Sequence, residues 1–348
     1  GLGDVYKRQV ICRALTNVGR VRRSLGDLRG AVRSLAQAAE VAHTVGDPMI
    51  ESAAWSELGM VRLAEGRSRA ALVALLRARR LRRALGDPGR VAESELDLAE
   101  LWRKGGDVRA ALASTTRALA LQASLGNGDG AAVAVEALEF ATGRPGGPAA
   151  LLETARRGPR ASGPPPLPEA VRKGDALARL ARRTLATAMA ARAGDVQQAR
   201  VHALHAKRLL RKVRAQAPAP AVLALARALR LEARAVLLAA RGRKGEARDL
   251  LDRALDDANL PPVRRGALNL KRAFLDLALG DADRARQDAG RASGAGLPEP
   301  LAERRGVGRA LIAGGAAQRA PQDEVEWPHD APAPTLTDAR AVSYTHLT

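Results

Sequence analysis

Apolar residues recur at the spacing of an α-helix through the first third of the chain. From Leu28 they follow one helical face, at positions 28, 31, 32, 35, 38, 42 and 45. Gly46 ends this pattern, because glycine readily takes the positive φ that closes a helix. Asp47 and Pro48 are residue types that begin the next helix. The pattern predicts helices of about 16 residues joined by tight turns.

The same pair of signals, a helix-ending glycine followed by a helix-capping residue, repeats along the chain. Glycine stands at six positions spaced 20 residues apart: Gly26, Gly46, Gly66, Gly86, Gly106 and Gly126. The next residue is Asp or Asn, which cap helices, except at Arg67. Side chains match better at 40 residues than at 20, as in Val18, Leu58 and Leu98. The repeating unit is therefore predicted to be a hairpin of two helices, which buries its apolar face by stacking on neighbours.

Small residues mark the positions where the two helices of a hairpin must approach closely. One such position holds Gly19, Gly59 and Ala99, and two others hold only alanine, at 31, 71 and 111 and at 38, 78 and 118. This arrangement resembles the tetratricopeptide repeat, in the variety of roughly 40 residues found in kinesin light chains and many bacterial regulators. The family's late proline is absent, and His43, Arg83 and Ala123 stand in its place. The resemblance implies an all-α fold, a right-handed α-solenoid of stacked antiparallel helical hairpins.

The resemblance also implies a binding site. In tetratricopeptide proteins the first helix of each hairpin lines a concave groove that holds a peptide or a helix of a partner. The matching positions here are Arg13, Thr16, Arg20, Arg23, Ser56, Met60, Leu63, Glu93, Leu96, Glu100 and Arg103. Such a groove runs from basic through apolar to mixed charge, which suits a protein or peptide segment with an acidic end. The alternative is that these positions only face solvent.

The spacing of glycine and proline residues predicts how the chain is divided. We expect residues 10–157 to form the first repeat block and the proline-rich residues 158–168 to form a linker. We expect residues 169–293 to form a degenerate second block, and a generic helical bundle is the alternative. Its turns are predicted at Gly194, Gly242 and Gly280. Residues 294–341 have the composition of a mostly disordered tail, with a helix at about 299–313 as an option.

Both ends of the chain differ from the rest. Residues 1–9 and 342–348 resemble translated sequencing-adapter read-through and contain both tyrosines, Tyr6 and Tyr344. We expect neither end to be native, and the remainder to be a fragment of a larger protein.

The net charge of +20 comes mostly from arginine and favours an anionic partner. A base composition that encodes Ala, Arg, Gly and Pro explains the same charge without any function. Cys12 is the only cysteine, which excludes an internal disulfide and fits a reducing, cytoplasmic compartment. No apolar run reaches the ~18 residues of a membrane span.

Signals for catalysis or cofactor binding are weak. His202 and His205 have a spacing that could place two metal ligands together, but no third ligand stands at a suitable offset. The two glycine-dense stretches, 126–130 and 143–147, lack the Lys-Ser or Lys-Thr of a phosphate loop. The sequence therefore predicts neither an enzyme nor a cofactor or metal site.

Two clusters of basic residues support a second hypothesis, nucleic-acid binding through arginine-rich helix faces. The first comprises Arg77, Arg79, Arg80, Arg82 and Arg83, and the second Arg200, Lys207, Arg208, Arg211 and Lys212. Stacking aromatics and a recognition-helix motif are absent. The preferred prediction is a protein-interaction scaffold or sensor segment, as part of a larger bacterial signalling or transcriptional regulator.

Overall fold

The computed structural model describes residues 2–143, 151, 170–292, 297 and 299–318. Within them the secondary structure is entirely helical, with fourteen α-helices and no strand. The described residues belong to two compact units, Gly1–Ser114 and Thr115–Thr348. The predicted linker at 158–168 and the predicted non-native end at 342–348 lie outside the described residues and stay predictions.

Unit 1 (Gly1–Ser114) is built from consecutive helices. They are α1 (Leu2–Ser24), α2 (Leu28–Val45), α3 (Pro48–Ala64), α4 (Ser68–Ala84), α5 (Pro88–Lys104) and the beginning of α6 (Val108–Ser124). Each helix from α1 to α4 packs against the one that follows it. Because the turns between them are short, neighbouring helices run antiparallel and form hairpins. The first helices also meet, since α1 contacts α3 and α3 contacts α5.

The predicted turns form as expected. Gly46 has a φ of 72°, and its N–H donates to the carbonyls of Ala42 and His43 at the end of α2. The side chain of Asp47 then accepts hydrogen bonds from the N–H groups of Met49 and Ile50 at the start of α3. All six glycines of the 20-residue series have a positive φ. At the exception, Arg67, α4 begins without a side-chain cap.

Alanine and leucine fill the space between the helices of unit 1. Ala31 and Leu35 of α2 pack against Leu58 and Val61 of α3. One repeat later, Ala71 and Leu75 of α4 pack against Leu98 and Leu101 of α5 in the same way. Each second helix therefore supplies the surface on which the following hairpin stacks.

Unit 2 (Thr115–Thr348) repeats this arrangement with helices of more variable length, from 10 to 23 residues. They are the end of α6, then α7 (Gly128–Thr142), α8 (Ala170–Arg192), α9 (Val196–Ala215), α10 (Pro220–Ala239), α11 (Lys244–Leu255), α12 (Pro262–Ala278), α13 (Ala282–Arg291) and α14 (Glu299–Gln318). The pairs α8–α9, α10–α11 and α12–α13 form hairpins. Their turns lie at the predicted glycines, Gly194, Gly242 and Gly280, all with positive φ. The prediction of an all-α fold of stacked antiparallel hairpins is confirmed.

Helix α14 lies within residues 294–341, the stretch predicted to be mostly disordered. Its Ile312 is fully buried against Ala273 and Phe274 of α12 and Ala285 and Ala289 of α13. The helix has little amphipathic pattern of its own, so the surface of α12 and α13 provides the apolar contact that stabilises it. The other residues of that stretch, apart from Leu297, are not described.

Unit 2 contains a buried cluster of charged side chains at the junction of α7, α10, α12 and α14. Its members are Glu136, Glu139, Glu232, Arg264, Lys271 and Arg305. Arg264 is completely buried, and its Nη1 donates to Glu136 Oε1 at 2.9 Å and Glu139 Oε1 at 2.8 Å. Burial alone would lower the pKa of Arg264, but Glu232 and the other carboxylates raise it well above its usual range. Three carboxylates face three cations, so the cluster is balanced in charge and holds four helices together.

Candidate partner-binding site

The predicted groove residues lie on three adjacent helices of unit 1. We call the surface formed by these eleven residues the first-helix face; α1 carries four of them, α3 three and α5 four. Their side chains differ in exposure. Arg13, Arg20 and Glu93 are exposed, and Thr16, Arg23, Met60, Leu96 and Glu100 are half-buried; Ser56, Leu63 and Arg103 are buried. Partner binding by these residues stays a prediction.

Polar contacts connect the three helices across this face. Arg23 of α1 lies 3.6 Å from Glu57 of α3. The hydroxyl of Ser56 donates to Asp97 Oδ2 of α5 at 2.6 Å. These contacts fix neighbouring first helices relative to each other, so the face is a continuous surface within unit 1.

The α5 side of the face has mixed charge. Glu93 is exposed and lies 3.7 Å from Arg82, while Glu100 holds Arg103 through two hydrogen bonds of 2.6 Å. The α1 side carries Arg13 and Arg20 instead. Neither arginine has a carboxylate within ion-pair distance in the part of the chain that the structure describes, and Arg20 donates only to Asn17, at 3.1 Å. The face therefore has a basic side on α1, with exposed arginines, and a side on α5 whose carboxylates are paired with arginine.

Asp97 is a member of this surface that the sequence interpretation missed. Burial raises its pKa to about 6, against the opposing effects of the Ser56 hydrogen bond and Arg82, and Glu57 and Glu93 raise it further. The 40-residue register contains the signal, because Asn17, Glu57 and Asp97 each stand one residue after a predicted groove position. Below pH ~6 Asp97 is mostly protonated, which makes the α5 side less acidic.

Two apolar residues of the face differ in availability. Leu63 is 5% exposed and packs against Ala71, Leu75 and Leu98, so its contribution is to the core. Met60 is half-buried at the edge of the same cluster. The apolar centre of the face therefore consists of Met60 and Leu96, which retain exposed surface.

The first basic cluster, on α4, is largely engaged within unit 1. Arg79 and Arg83 lie 3.1 Å and 3.6 Å from the buried Glu95. Arg82 is 5% exposed and donates to the hydroxyl of Ser94 at 2.8 Å. Arg77 lies 2.9 Å from Glu51 and 4.4 Å from the centre of the Trp55 ring. Most of these arginines therefore stabilise contacts of α4 with α3 and α5 rather than presenting free charge.

The second basic cluster, on α9, is exposed. Arg200, Lys207, Arg208, Arg211 and Lys212 all have exposed side chains. In the described part of unit 2, no carboxylate lies within ion-pair distance of these five residues. This helix therefore presents five exposed cations without a carboxylate partner among the described residues.

His202 and His205 lie beside arginine. His202 is 2% exposed, and its Nδ1 is 2.8 Å from Nη1 of Arg183. Burial lowers the pKa of His205, and the charges of Arg183 and Arg208 lower it further. Within the described residues, no group of three His, Cys, Asp or Glu side chains could hold a metal ion. A positive environment opposes a cation at this pair.

Unit 2 also contains a cavity of about 200 Å³ at the ends of α8, α10 and α12. Alanine side chains, Val236, Phe274 and Leu275 form most of its wall, and Arg192 and Lys244 add positive charge. None of the helices in the described ranges is both long and apolar enough to cross a membrane.

No protein-family model matches the chain, and no curated protein matches it. Among solved structures it is similar to a tetratricopeptide repeat protein from Parabacteroides merdae, with 15% identity over 86% of this chain and 99% of that chain and a TM-score of 0.30. At that TM-score the likeness supports no detailed correspondence, and the helices described above define the fold by themselves.

Proposed function

We propose that the chain is a protein-interaction module of the tetratricopeptide kind, and that the first-helix face of unit 1 binds a helical or extended segment of a partner protein. The bound segment is acidic where it meets Arg13 and Arg20 and basic where it meets Glu93 and Glu100. A role as scaffold or sensor segment of a larger bacterial signalling or transcriptional regulator, which the resemblance implies, belongs to the same proposal.

The observation that carries the proposal is the separation of charge across one continuous surface. Arg13 and Arg20 are exposed without a carboxylate partner in the described structure, and the acidic side chains lie two helices away on α5. Met60 and Leu96 offer apolar surface on the same face. Folding of the hairpins does not require the charges to be separated in this way. The separation would, however, fix the direction in which a segment with opposite charges at its two ends binds.

Charge reversal tests the proposal. Peptides of about 20 residues, selected by display on the wild-type chain, are measured by titration calorimetry against Arg13→Glu, Arg20→Glu. We expect at least about a tenfold loss of affinity, since two charge contacts become repulsive. Arg23 is not used, because it lies 3.6 Å from Glu57 and its replacement would also disturb the contact of α1 with α3.

A matched control reverses two exposed arginines of unit 1 outside the face, Arg33 of α2 and Arg69 of α4. Their replacement by glutamate makes the same change in net charge and should leave affinity unchanged. If both double variants weaken binding equally, attraction to the overall charge of +20 explains it and the face is not the site.

The exposed basic cluster on α9 supports a second candidate function, binding of nucleic acid. Five cations on one helix predict a slope of about −4.5 in the logarithm of affinity for duplex DNA against the logarithm of salt concentration. Fluorescence anisotropy should show this slope with duplex DNA and a slope of about −3.5 with single-stranded RNA, and Lys207→Glu, Arg211→Glu should flatten both. If affinity changes neither with salt concentration nor with these two substitutions, α9 is not a nucleic-acid site.

A further inference from the structure

Helix α1 exposes a continuous apolar stripe. We call the α1 stripe Ile11, Ala14, Val18 and Val21 of α1 together with Leu25, which directly follows the helix; the five residues succeed one another at intervals of three or four. Ile11 is 49%, Val18 41%, Val21 55% and Leu25 78% exposed. Intervals of this kind place side chains on one side of a helix and are typical of a surface that another helix covers.

The internal repeat identifies what covers this position elsewhere in unit 1. Forty residues after Ala14, Val18 and Val21 stand Ala54, Leu58 and Val61 of α3, which are 0%, 6% and 0% exposed. The covering element is α2, the second helix of the preceding hairpin, whose Ala31 and Leu35 pack on Leu58 and Val61.

In the next repeat, the equivalent position is also covered by the second helix of the preceding hairpin. Leu98 and Leu101 of α5 stand 80 residues after Val18 and Val21 and are 1% and 3% exposed. They are covered by Ala71 and Leu75 of α4, again the second helix of the preceding hairpin. In both cases an alanine and a leucine four residues apart meet two apolar residues three apart.

The α1 stripe is separate from the first-helix face. At about 100° of rotation per residue, the stripe points roughly 160° away from the side of α1 that carries Arg13, Thr16, Arg20 and Arg23. A helix on the stripe therefore leaves the first-helix face accessible, and the two surfaces can be tested independently.

We propose that the α1 stripe is a stacking surface for the second helix of one further hairpin of this repeat, located before α1 in the same polypeptide. Both covered examples use the helix that directly precedes in the chain. The turn positions that correspond to Gly46-Asp47 and Gly86-Asp87 are Tyr6-Lys7, within the segment 1–9 that resembles adapter sequence. Here α1 continues through the position of the turn and begins at Leu2.

An in-register extension supplies the missing helix. A second copy of residues 8–47 is placed directly before residue 8, so that a copy of α2 lies 40 residues before α2 itself. The reporter is Val18→Cys, introduced in both the extended and the original chain. The native Cys12 gives little background, because it is 1% exposed and burial raises the pKa of its thiol.

We expect the thiol introduced by Val18→Cys to react rapidly with a thiol reagent in the original chain. In the extended chain its reaction should slow at least about tenfold, because labelling then requires local opening of the new contact. A matched control adds two residues at the junction, which turns the added helices by about 200° relative to α1 and should remove the protection.

A second extension places a copy of residues 48–87 before residue 8, in case the first extended chain does not fold. Circular dichroism establishes that the added helices form in each extended chain. If neither in-register extension protects the thiol, the proposal is wrong. It is equally wrong if the original chain sediments as a dimer in which the thiol is already protected, since a second copy would then cover the stripe.

Discussion

A close helix contact within the second hairpin of unit 1 can be tested at Gly59. A Cβ atom added there would lie 2.6 Å from Cδ2 and 2.7 Å from Cγ of Leu75. Carbon atoms at optimal separation are ~3.5–4.0 Å apart, so Gly59→Ala requires Leu75 to move by about 1 Å. Leu75 is 1% exposed and packed against Ala71, Leu98 and Leu101, which leaves little room for that movement.

Two opposing effects set the magnitude. Alanine in a helix interior is favoured over glycine by about 1 kcal/mol. Overpacking a well-packed core costs about 1–3 kcal/mol, so the single variant should lower the free energy of unfolding by up to about 2 kcal/mol. Leu75→Ala removes both clashing atoms. In that background Gly59→Ala should become stabilising, and the coupling between the two positions should be about 1–3 kcal/mol.

Urea unfolding of the full chain measures this cycle. Fluorescence of Trp55 and Trp102 follows unit 1, with Trp327→Phe as the background because that residue lies outside the described structure. Gly105→Ala is the control within unit 1, since the nearest atom to its added Cβ is 3.4 Å away, and it should not destabilise. If Gly59→Ala stabilises equally with Leu75 and with Ala at position 75, the helices are not in close contact there and the hairpin register is wrong.

Three further predictions concern a carboxyl group with a raised pKa, a buried arginine and a close contact with backbone. Asp97 has a pKa of about 6 in the native state, above its ordinary value of 3.8, so its contribution to stability is complete below pH ~3.8 and is lost as pH rises through 6. Relative to Asp97→Asn, the wild type should therefore gain about 1.4 kcal/mol in free energy of unfolding when the pH falls from 7.5 to 5, measured by urea unfolding at each pH. If the free energies of unfolding of the two proteins depend on pH in the same way, the pKa of Asp97 is not raised. Arg264→Met leaves three carboxylates facing two cations and should cost about 3–5 kcal/mol by circular dichroism, whereas Arg200→Met on the surface should cost less than about 0.5 kcal/mol. Gly174→Ala should destabilise unit 2 by at least about 1 kcal/mol, because its Cβ would meet the backbone of Ala120, and Gly245→Ala, with no neighbour within 4 Å, is its control.

The helices and turns of both units could be predicted from the sequence because their determinants are local. Gly46 and Asp47 close one helix and cap the next with atoms from the same few residues. The apolar face of α2 is visible at helical spacing before any partner is known. The 40-residue register then identified which helices pair, since equivalent residues such as Ala31 and Ala71 must fit equivalent contacts.

Contacts between residues distant in the chain could not be predicted in this way. Gly174 is required by a close approach to Ala120 of α6, and neither residue belongs to a repeated pattern. Arg264 pairs with Glu136, 128 residues earlier in the chain. Such pairs depend on how α7 and α12 pack, which local propensity and periodicity do not specify.

Whether a cluster of arginines is paired or presents free positive charge also depends on tertiary structure. The arginines of α4 have the composition of a basic surface, yet Arg82 is buried against Ser94, and Arg79 neutralises the buried Glu95. On α9 the same residue type remains exposed at Arg200 and Arg211. Composition cannot distinguish these two roles, because the distinction is whether a neighbouring helix supplies a carboxylate.

The register separates positions that packing requires from positions that it leaves open. Ala31 and Ala71 occupy a fully buried contact, and the repeat places the same residue there each time. On the first-helix face, one register position holds Arg20, then Met60, then Glu100. Hairpin geometry does not explain a cation, a thioether and an anion at equivalent sites. A bound segment whose character changes along its length would explain them, and this is the arrangement that reversal of Arg13 and Arg20 tests.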